Sequence, residues 1–221
     1  MYTPAHFAAS PDSVRDLLTR PAAANLITAT AQGMLATLLP FVFDPDAGEQ
    51  GALRGHLARN NPQWSEPALG ESLVIIQGAD AYISPSWYAS KAEHGRVVPT
   101  WNYSIAHVYG TLVIHEDPVW LASHVRRLSE HNEAGEERPW SVDDAPERYI
   151  AGQLRAIVGV ELLITRIEAK NKLSQNRPDA DIDGVVAGLH ARGDMDSAAD
   201  VAAAREARDQ ARCPQSGGAP V

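Results

Sequence analysis

Residues 25–43 read NLITATAQGMLATLLPFVF, a pattern typical of antiparallel β-structure. Its two runs of β-suited residues are broken at Gln32-Gly33, which predicts a β-hairpin. Further strands are predicted at ALRGHLA (52–58), ESLVIIQGADAYISP (71–85), SIAHVYGTLVIHE (104–116) and GVELLITRIEA (159–169). Because short turns join these strands without regular βαβ alternation, we predict a mainly β protein with peripheral helices (α+β), arranged as a barrel or a sandwich.

Start signals and apolar spacing predict the helices. Ser10 is the N-cap of a helix that begins at Pro11, and Asp117 is the N-cap of a helix over residues 117–134. A further helix is predicted over 143–157, with four residues facing inward: Tyr149, Ile150, Leu154 and Ile157. Gly78 is expected to mark a turn or bulge, so that residues 71–85 form one strand or two.

The chain becomes polar and alanine-rich from about Asp179. A short helix is predicted at DIDGVVAGLHARG (181–193) and a second one at SAADVAAAREARDQAR (197–212), followed by disordered PQSGGAPV (214–221). We therefore expect one domain over residues 1–190 and a detachable, helical or disordered tail over residues 191–221.

Composition limits the classes of function. The 221 residues are 44% hydrophobic and 21% charged, which is ordinary for a soluble globular chain. No apolar run approaches the roughly 20 residues of a membrane span, and the N-terminus lacks the features of a signal peptide, so a cytoplasmic protein without membrane contact is expected. The single cysteine, Cys213, predicts no internal disulfide. A net charge of −9 opposes unassisted binding to nucleic acid.

Several familiar catalytic motifs are absent, namely GxGxxG, GxxxxGK[ST], GxSxG and HExxH. His124 and His131 lie seven residues apart on a predicted helix and could share a face, but the sequence identifies no third ligand. We interpret them as part of a solvated helix face, and we predict no bound metal.

Four stretches dense in hydrogen-bonding groups lack the periodicity of an ordinary core strand or helix: GHLARNNPQW (55–64), YISPSWY (82–88), VPTWNY (98–103) and KLSQNR (172–177). Any one of these stretches, taken by itself, could be a loop whose aromatic residues pack into the protein surface, or a polar turn. Four in one short chain favour a site for a planar, phosphorylated cofactor.

Such a cofactor needs three kinds of protein group, and these stretches contain all three. Groups able to hold a phosphate are Arg59, Lys172, Arg177, Ser84, Ser86, Thr100 and Ser174. Aromatic side chains able to flank a ring are Trp87, Tyr88, Trp101 and Tyr103. Amides able to match the polar edge of a ring are Asn60, Asn102, Gln175 and Asn176.

The chain resembles the PaiB-type family, called FMN-binding negative transcriptional regulators. The resemblance rests on MYTPAHF, GHLARNNPQW, AYISPSWY, VPTWNY, IVGVELLITRIEAKNKLSQNR and the following D-x-x-GV, and it extends from Met1 to about Leu189 in the family's order. It implies a flavin-reductase-like split β-barrel over residues 1–190 and a homodimer with FMN at the subunit interface.

The resemblance also implies which residues line the flavin groove. They are His56, Arg59, Asn60, Asn61, Tyr82, Ser84, Ser86, Trp87, Tyr88, Pro99, Thr100, Trp101, Asn102, Tyr103, Lys172, Ser174, Gln175, Asn176 and Arg177. Relatives commonly have HLARAN where this chain has HLARNN. Asn61 is therefore the positional match, and either Asn60 or Asn61 can reach a ligand.

Three functions are compatible with these residues. A negative transcriptional regulator, acting on specific promoter DNA or through a partner protein, is what the resemblance implies. An FMN-dependent oxidoreductase or flavin reductase is the first alternative, with His56 and Tyr103 as candidate acid or base. A haem-related split-barrel protein ranks last, because no histidine ligand is predictable. No helix-turn-helix is evident, since EERPWSV rather than a short glycine turn separates the predicted helices at 117–134 and 143–157.

Overall fold

The computed structural model describes residues 1–20 and 22–212. Its strands are β1 (Ala23–Thr30), β2 (Gly33–Pro40), β3 (Val42–Asp44), β4 (Ala52–Ala58), β5 (Ser72–Ile83), β6 (Thr100–His115) and β7 (Ile157–Lys172). Its α-helices are α1 (Pro11–Thr19), α2 (Ser90–His94), α3 (Pro118–Glu133), α4 (Glu147–Arg155), α5 (Asp179–Ala191) and α6 (Met195–Arg212). Within the described residues the strands form one seven-stranded sheet with the order β2-β1-β5-β6-β7-β4-β3.

The predicted hairpin is confirmed. Strands β1 and β2 pair antiparallel from Ala23 opposite Pro40 to Thr30 opposite Gly33. The turn requires a glycine, because Gly33 has a φ of 119°, a conformation that other residues rarely adopt. The Thr30 hydroxyl donates to the Gly33 carbonyl at 2.9 Å and closes the turn.

Two strand boundaries differ from the prediction. Strand β5 runs unbroken from Ser72 to Ile83, so Gly78 marks no break between two strands. Strand β6 begins at Thr100 and includes the WNY motif, which we had predicted to lie outside it. The sequence does not show the alternation of buried and exposed positions at the start of β6, because the buried positions there carry the polar residues Asn102 and Ser104.

The predicted helix starts are correct at α1 and α3. The Ser10 hydroxyl accepts from the Ser13 amide at 3.3 Å, and the Asp117 carboxylate accepts from the amides of Val119 and Trp120. Helix α4 is shorter than predicted, and the inward position assigned to Tyr149 is wrong because its side chain is 59% exposed.

The chain divides into two compact units. Unit 1 contains Met1–Ala9, Gln77–Ile105 and the chain from Ala169 onward, and unit 2 contains Ser10–Ile76 and Ala106–Glu168. The core of unit 2 is built mainly from strand residues, with Leu17 and Leu18 of α1 and Leu121 of α3 added. Its fully buried members include Leu26, Leu53, Val74, Val108, Leu121, Val158, Val160 and Leu162.

The core of unit 1 joins the end of β5 to α5 and α6, through Ala81, Ile83, Tyr88, Leu173, Ile182, Val185, Leu189, Ala198 and Val201. Helix α6 lies in the segment predicted as a tail, and its Ala198 and Val201 are buried in this cluster. The domain boundary after residue 190 stays a prediction, and the predicted disorder of 214–221 and the unpaired Cys213 lie outside the described residues. In the part of the chain that is described, no helix is both long and apolar enough to cross a membrane.

Candidate functional site

A cavity of about 180 Å³ lies within unit 1, next to the beginning of β6 and the end of β7. We call it the Lys172 pocket. It is lined by Phe7, Tyr88, Val98, Pro99, Thr100, Asn102, Lys172, Ser174, Asn176 and Arg177. Nine of these ten residues belong to the stretches chosen from the sequence, and the tenth is Phe7.

Positive charge is concentrated at the Lys172 pocket. The Lys172 ammonium donates to the Thr100 hydroxyl at 2.5 Å and also contacts the Trp101 carbonyl. Burial lowers the pKa of Lys172, and the neighbouring charges of Lys170 and Arg177 lower it further. Among the described residues that line the pocket none is acidic. An anion in the pocket would therefore relieve the repulsion between these cations.

The turn after β7 shapes one wall of the pocket. Ser174 is buried and has a φ of 67°, in the left-handed region. The Asn102 side-chain amide donates to its hydroxyl at 3.0 Å, which joins the turn to β6. Gln175 holds the turn itself, because its carbonyl oxygen accepts from the Leu173 amide and its amide nitrogen donates to the Asn171 carbonyl, both at 2.7 Å.

Tyr88 forms another wall and has an unused polar group. Its side chain is 3% exposed, and its hydroxyl has no hydrogen-bond partner among the described residues. The Arg177 guanidinium lies 4.5 Å from the centroid of its ring. Burial raises the pKa of the Tyr88 phenol, so the hydroxyl keeps its proton.

Exposed aromatic residues lie near these elements in unit 1. Tyr82 and Trp101 are both exposed, and their rings meet edge to face with centroids 6.0 Å apart. The Tyr103 ring lies 5.4 Å from the Lys170 ammonium and 6.0 Å from that of Lys172. Such side chains can contact a planar ring while remaining accessible.

Three other predicted residues have structural contacts of their own. The Trp87 ring lies beneath the Arg192 guanidinium at 4.3 Å from its centroid. The Ser84 hydroxyl accepts from the Ser86 amide at 3.2 Å and starts a short 3-10 helix. The Ser86 hydroxyl accepts from the Lys91 ammonium at 3.0 Å.

The GHLARNNPQW residues belong to unit 2. Arg59 donates to the carbonyl oxygens of Arg155 and Ile157 at 2.9 and 3.1 Å, and it forms an ion pair with Glu116 at 2.6 Å. The Asn61 side chain donates to the Thr37 hydroxyl at 3.0 Å and accepts from the Gln63 amide at 2.9 Å. Asn60 is exposed. The Asn61 side chain is therefore already hydrogen-bonded within unit 2.

Unit 2 also contains a cluster of histidines around Trp120. His56 Nδ1 lies 3.2 Å from His124 Nε2, while the His124 ring stacks on Trp120 and Trp120 stacks on His115. His115 in turn lies 3.0 Å from the Glu161 carboxylate. The interpretation of His124 as part of a solvated face is wrong, because its side chain is 4% exposed. In the described chain no group of three or more potential ligands could hold a metal ion.

Sequence reasoning missed several residues that support the pocket. Asp181 is buried and accepts from the Ser90 amide at 2.9 Å and the Ser90 hydroxyl at 2.7 Å. Its position in the D-x-x-GV motif was a usable signal. The MYTPAHF motif could likewise have indicated Phe7, whereas no local sequence pattern distinguishes Ser90.

The antiparallel sheet with flanking helices and a cationic, hydroxyl-lined pocket define a mixed α+β protein with an FMN-binding split-barrel-like fold. Residues 1–166 match the family described as "Putative FMN-binding domain", and the chain belongs to this family. The matched region ends before the KLSQNR stretch.

Relatives and a solved structure agree with this assignment. The chain is 31% identical over 188 residues to the protease synthase and sporulation protein PAI 2 of Bacillus subtilis, covering 84% of this chain and 87% of that protein. It is 31% identical over 230 residues to protein AN0679 of Emericella nidulans, covering 87% and 92%. The fold resembles that of Rv2991 from Mycobacterium tuberculosis with a TM-score of 0.55 at 13% identity, covering 80% and 94%. The resemblance to the PaiB-type family is confirmed.

Proposed function

We propose that this protein binds FMN, with the cofactor's phosphate in the Lys172 pocket. The observation that carries the proposal is that Lys172 and Arg177 line one cavity together with Thr100, and that the charge of Arg177 lowers the pKa of Lys172. A phosphate dianion would accept hydrogen bonds from both cations and would reduce the repulsion between them.

The size of the pocket fits part of the cofactor. Pockets that enclose a whole drug-sized ligand measure about 300–1,000 Å³, whereas this cavity is about 180 Å³. We therefore assign it to the phosphate end and assign the ring to accessible aromatic residues of unit 1, Tyr82, Trp101 and Tyr103. Thr100 and Ser174 would contribute hydroxyls to the phosphate, and Asn102 and Asn176 would contribute amides.

A site open to solvent is completed most simply by a second copy of the chain. The described interior is filled by the protein's own aliphatic side chains and leaves no room for the cofactor there. We therefore propose a homodimer, in which the second copy completes the site. Sedimentation in the presence of FMN should give a dimer. A stable monomer that binds FMN at full occupancy would contradict the arrangement.

FMN supplies redox chemistry when it is bound, and the protein's part is to hold and orient it. His56 is a neutral hydrogen-bonding group at pH 7, because burial lowers its pKa. It and Tyr103 are the candidates for moving a proton in an FMN-dependent reaction.

The biological role we propose is negative regulation of transcription, supported by the relationship to PAI 2 and the PaiB-type family. An FMN-dependent oxidoreductase is the second candidate, and the charge distribution favours it. Arg126 forms two hydrogen bonds with Asp143 at 2.9 and 2.8 Å, and Arg127 forms an ion pair with Asp44 at 2.8 Å. These two residues are the arginines of α3, and their charges are therefore already neutralised by carboxylates.

The test of FMN binding uses riboflavin, which lacks the phosphate. Changing both Lys172→Ala and Arg177→Ala should weaken FMN by about 100-fold, because two charge-assisted hydrogen bonds are lost. Riboflavin affinity should change less than about twofold. Lys91→Ala serves as the control variant, because it removes an exposed cation that is bonded to Ser86. Equal losses for FMN and riboflavin in the double variant would overturn the phosphate assignment.

A further inference from the structure

Helix α6 contacts the turn that forms one wall of the Lys172 pocket. The Arg208 guanidinium donates from Nη1 to the Arg177 carbonyl at 3.1 Å, and its Nη2 contacts the Asp179 carboxylate. The Arg177 amide donates to the Ser174 carbonyl at 2.9 Å. The Arg177 backbone is thus fixed at two points, because its amide bonds to the turn and its carbonyl bonds to α6.

The first turn of α5 supports the wall that Tyr88 forms. Asp181 accepts two hydrogen bonds from Ser90, which lies two residues after Tyr88. Asp179, at the start of the same helix, is the carboxylate that Arg208 contacts. The α5 N-terminus therefore connects the Tyr88 wall to the Arg177 wall, and Arg208 joins this connection to α6.

Apolar packing fixes α6 against α5. Ala198 and Val201 of α6 are buried in the same cluster as Ile182, Val185 and Leu189 of α5. Arg208 lies two helical turns beyond Val201, and its side chain is only 12% exposed. Because buried side chains in well-packed clusters keep one arrangement, α6 has a defined position on α5, and the hydrogen bond to the Arg177 carbonyl places the Arg208 guanidinium at the turn.

We infer that Arg208 is a positioning residue of the Lys172 pocket, and that α6 is part of the apparatus that recognises a phosphate monoester. The inference rests on the proposed function. Arg208 acts through geometry rather than through its charge, since its guanidinium is already paired with Asp179 and Asp209. Its loss would let the Arg177 backbone move, and the Arg177 guanidinium would lose its orientation toward the ligand.

The test compares Arg208→Ala with Arg205→Ala. Arg205 lies on the same helix and forms ion pairs with Asp183, Asp179 and Asp209, but no hydrogen bond from it to the turn is seen among the described residues. We expect Arg208→Ala to weaken FMN about 10-fold, the scale at which loss of a supporting partner disturbs a directly bound group. Riboflavin affinity should stay within about twofold, and Arg205→Ala should leave both ligands within about twofold.

A second measurement does not depend on FMN. Hydrogen exchange of the Arg177 amide should be at least about 10-fold faster in Arg208→Ala than in Arg205→Ala, because its bond to Ser174 would open more often. Arg208→Lys keeps the charge and the aliphatic stem but loses the planar fork, so it should fold and show a partial effect on both readouts.

The outcomes separate the two proposals. If the unmodified protein fails to bind FMN, the proposed function is wrong, and the exchange data still decide whether Arg208 holds the turn. If FMN binds and Arg208→Ala changes neither the ratio of FMN to riboflavin affinity nor the exchange of Arg177, the inference is overturned. Equal weakening of both ligands would also contradict it, because that result indicates general destabilisation.

Discussion

His56 and His124 form a hydrogen-bonded pair, with Nδ1 of His56 3.2 Å from Nε2 of His124. Burial lowers the pKa of His124 to about 3, and the nearby charges of His56, Arg54, Arg127 and His115 act in the same direction. Burial also lowers the pKa of His56. Both rings are therefore neutral at pH 7, and a single proton lies between the two nitrogens.

The first prediction concerns acid stability. An unfolded histidine takes up a proton near pH 6.5, whereas folded His124 does so only near 3. Between these values the unfolded state binds more protons, so the free energy of unfolding falls as pH falls, by about 1.4 kcal/mol per unit for this group. Urea unfolding should show a loss of about 2 kcal/mol between pH 7 and 5, and His124→Gln should lose clearly less. Equal losses in the two proteins would contradict the assignment.

The second prediction concerns the pH dependence of FMN binding. The pKa of Lys172 is lowered in the free protein, first by burial and then by Lys170 and Arg177. A bound phosphate would raise this pKa, so binding takes up protons in the alkaline range and FMN affinity falls as pH rises. Fluorescence titrations of FMN at several pH values should show this fall in affinity. Riboflavin, titrated in parallel, corrects for the contribution that ionisation of the flavin ring makes.

Lys172→Arg is the matched control for that experiment. Arginine stays charged throughout the range, so the variant should retain FMN binding and lose most of the alkaline slope. If the slope persists unchanged in Lys172→Arg, another group is responsible for it.

The third prediction concerns the contact between α5 and Trp87. A Cβ atom at Gly188 would lie 2.2 Å from Cδ2 of the Trp87 ring. Gly188→Ala should therefore lower the free energy of unfolding by about 1–2 kcal/mol, even though alanine favours a helix more than glycine does. Gly135→Ala is the control, because a Cβ there would meet nothing within 4 Å. Thermal unfolding of the two variants measures the difference.

The fourth prediction separates a regulator from an oxidoreductase. With a net charge of −9 and with Arg126 and Arg127 paired to carboxylates, the isolated protein should bind random duplex DNA poorly at physiological salt, where the Debye length is about 8 Å. A gel-shift titration measures this affinity, and tight, salt-sensitive binding to unrelated duplexes would contradict the prediction. Steady oxidation of NAD(P)H by the FMN-loaded protein, without DNA binding, would favour the oxidoreductase.

Features with local signals are predictable from this sequence. The β1–β2 hairpin follows from Gln32-Gly33, and the starts of α1 and α3 follow from Ser10 and Asp117, because each signal acts within a few residues. The KLSQNR and VPTWNY stretches contribute most of the Lys172 pocket for a similar reason, since their polar composition departs visibly from that of a core strand.

Features that depend on distant partners are not predictable in this way. Asn102 is buried because its amide bonds Ser174, 72 residues away, and His124 is buried beside His56, 68 residues away. The packing of α6 is hidden for a different reason. Its buried face consists of small residues such as Ala198, which in a polar, alanine-rich segment are indistinguishable from those of a solvated helix.

Ser174 is also a position with little mutational tolerance. Among the described residues other than glycine, only Ser174 has a positive φ, and its hydroxyl bonds the buried Asn102 amide. Glycine would relieve about 1–2 kcal/mol of backbone strain but would leave that amide without its partner, at a cost of about 1–3 kcal/mol. Threonine would keep the hydroxyl but would clash with the backbone, and alanine would fail on both counts. A library of all substitutions at residue 174, ranked by thermal stability, should therefore place alanine and threonine below serine.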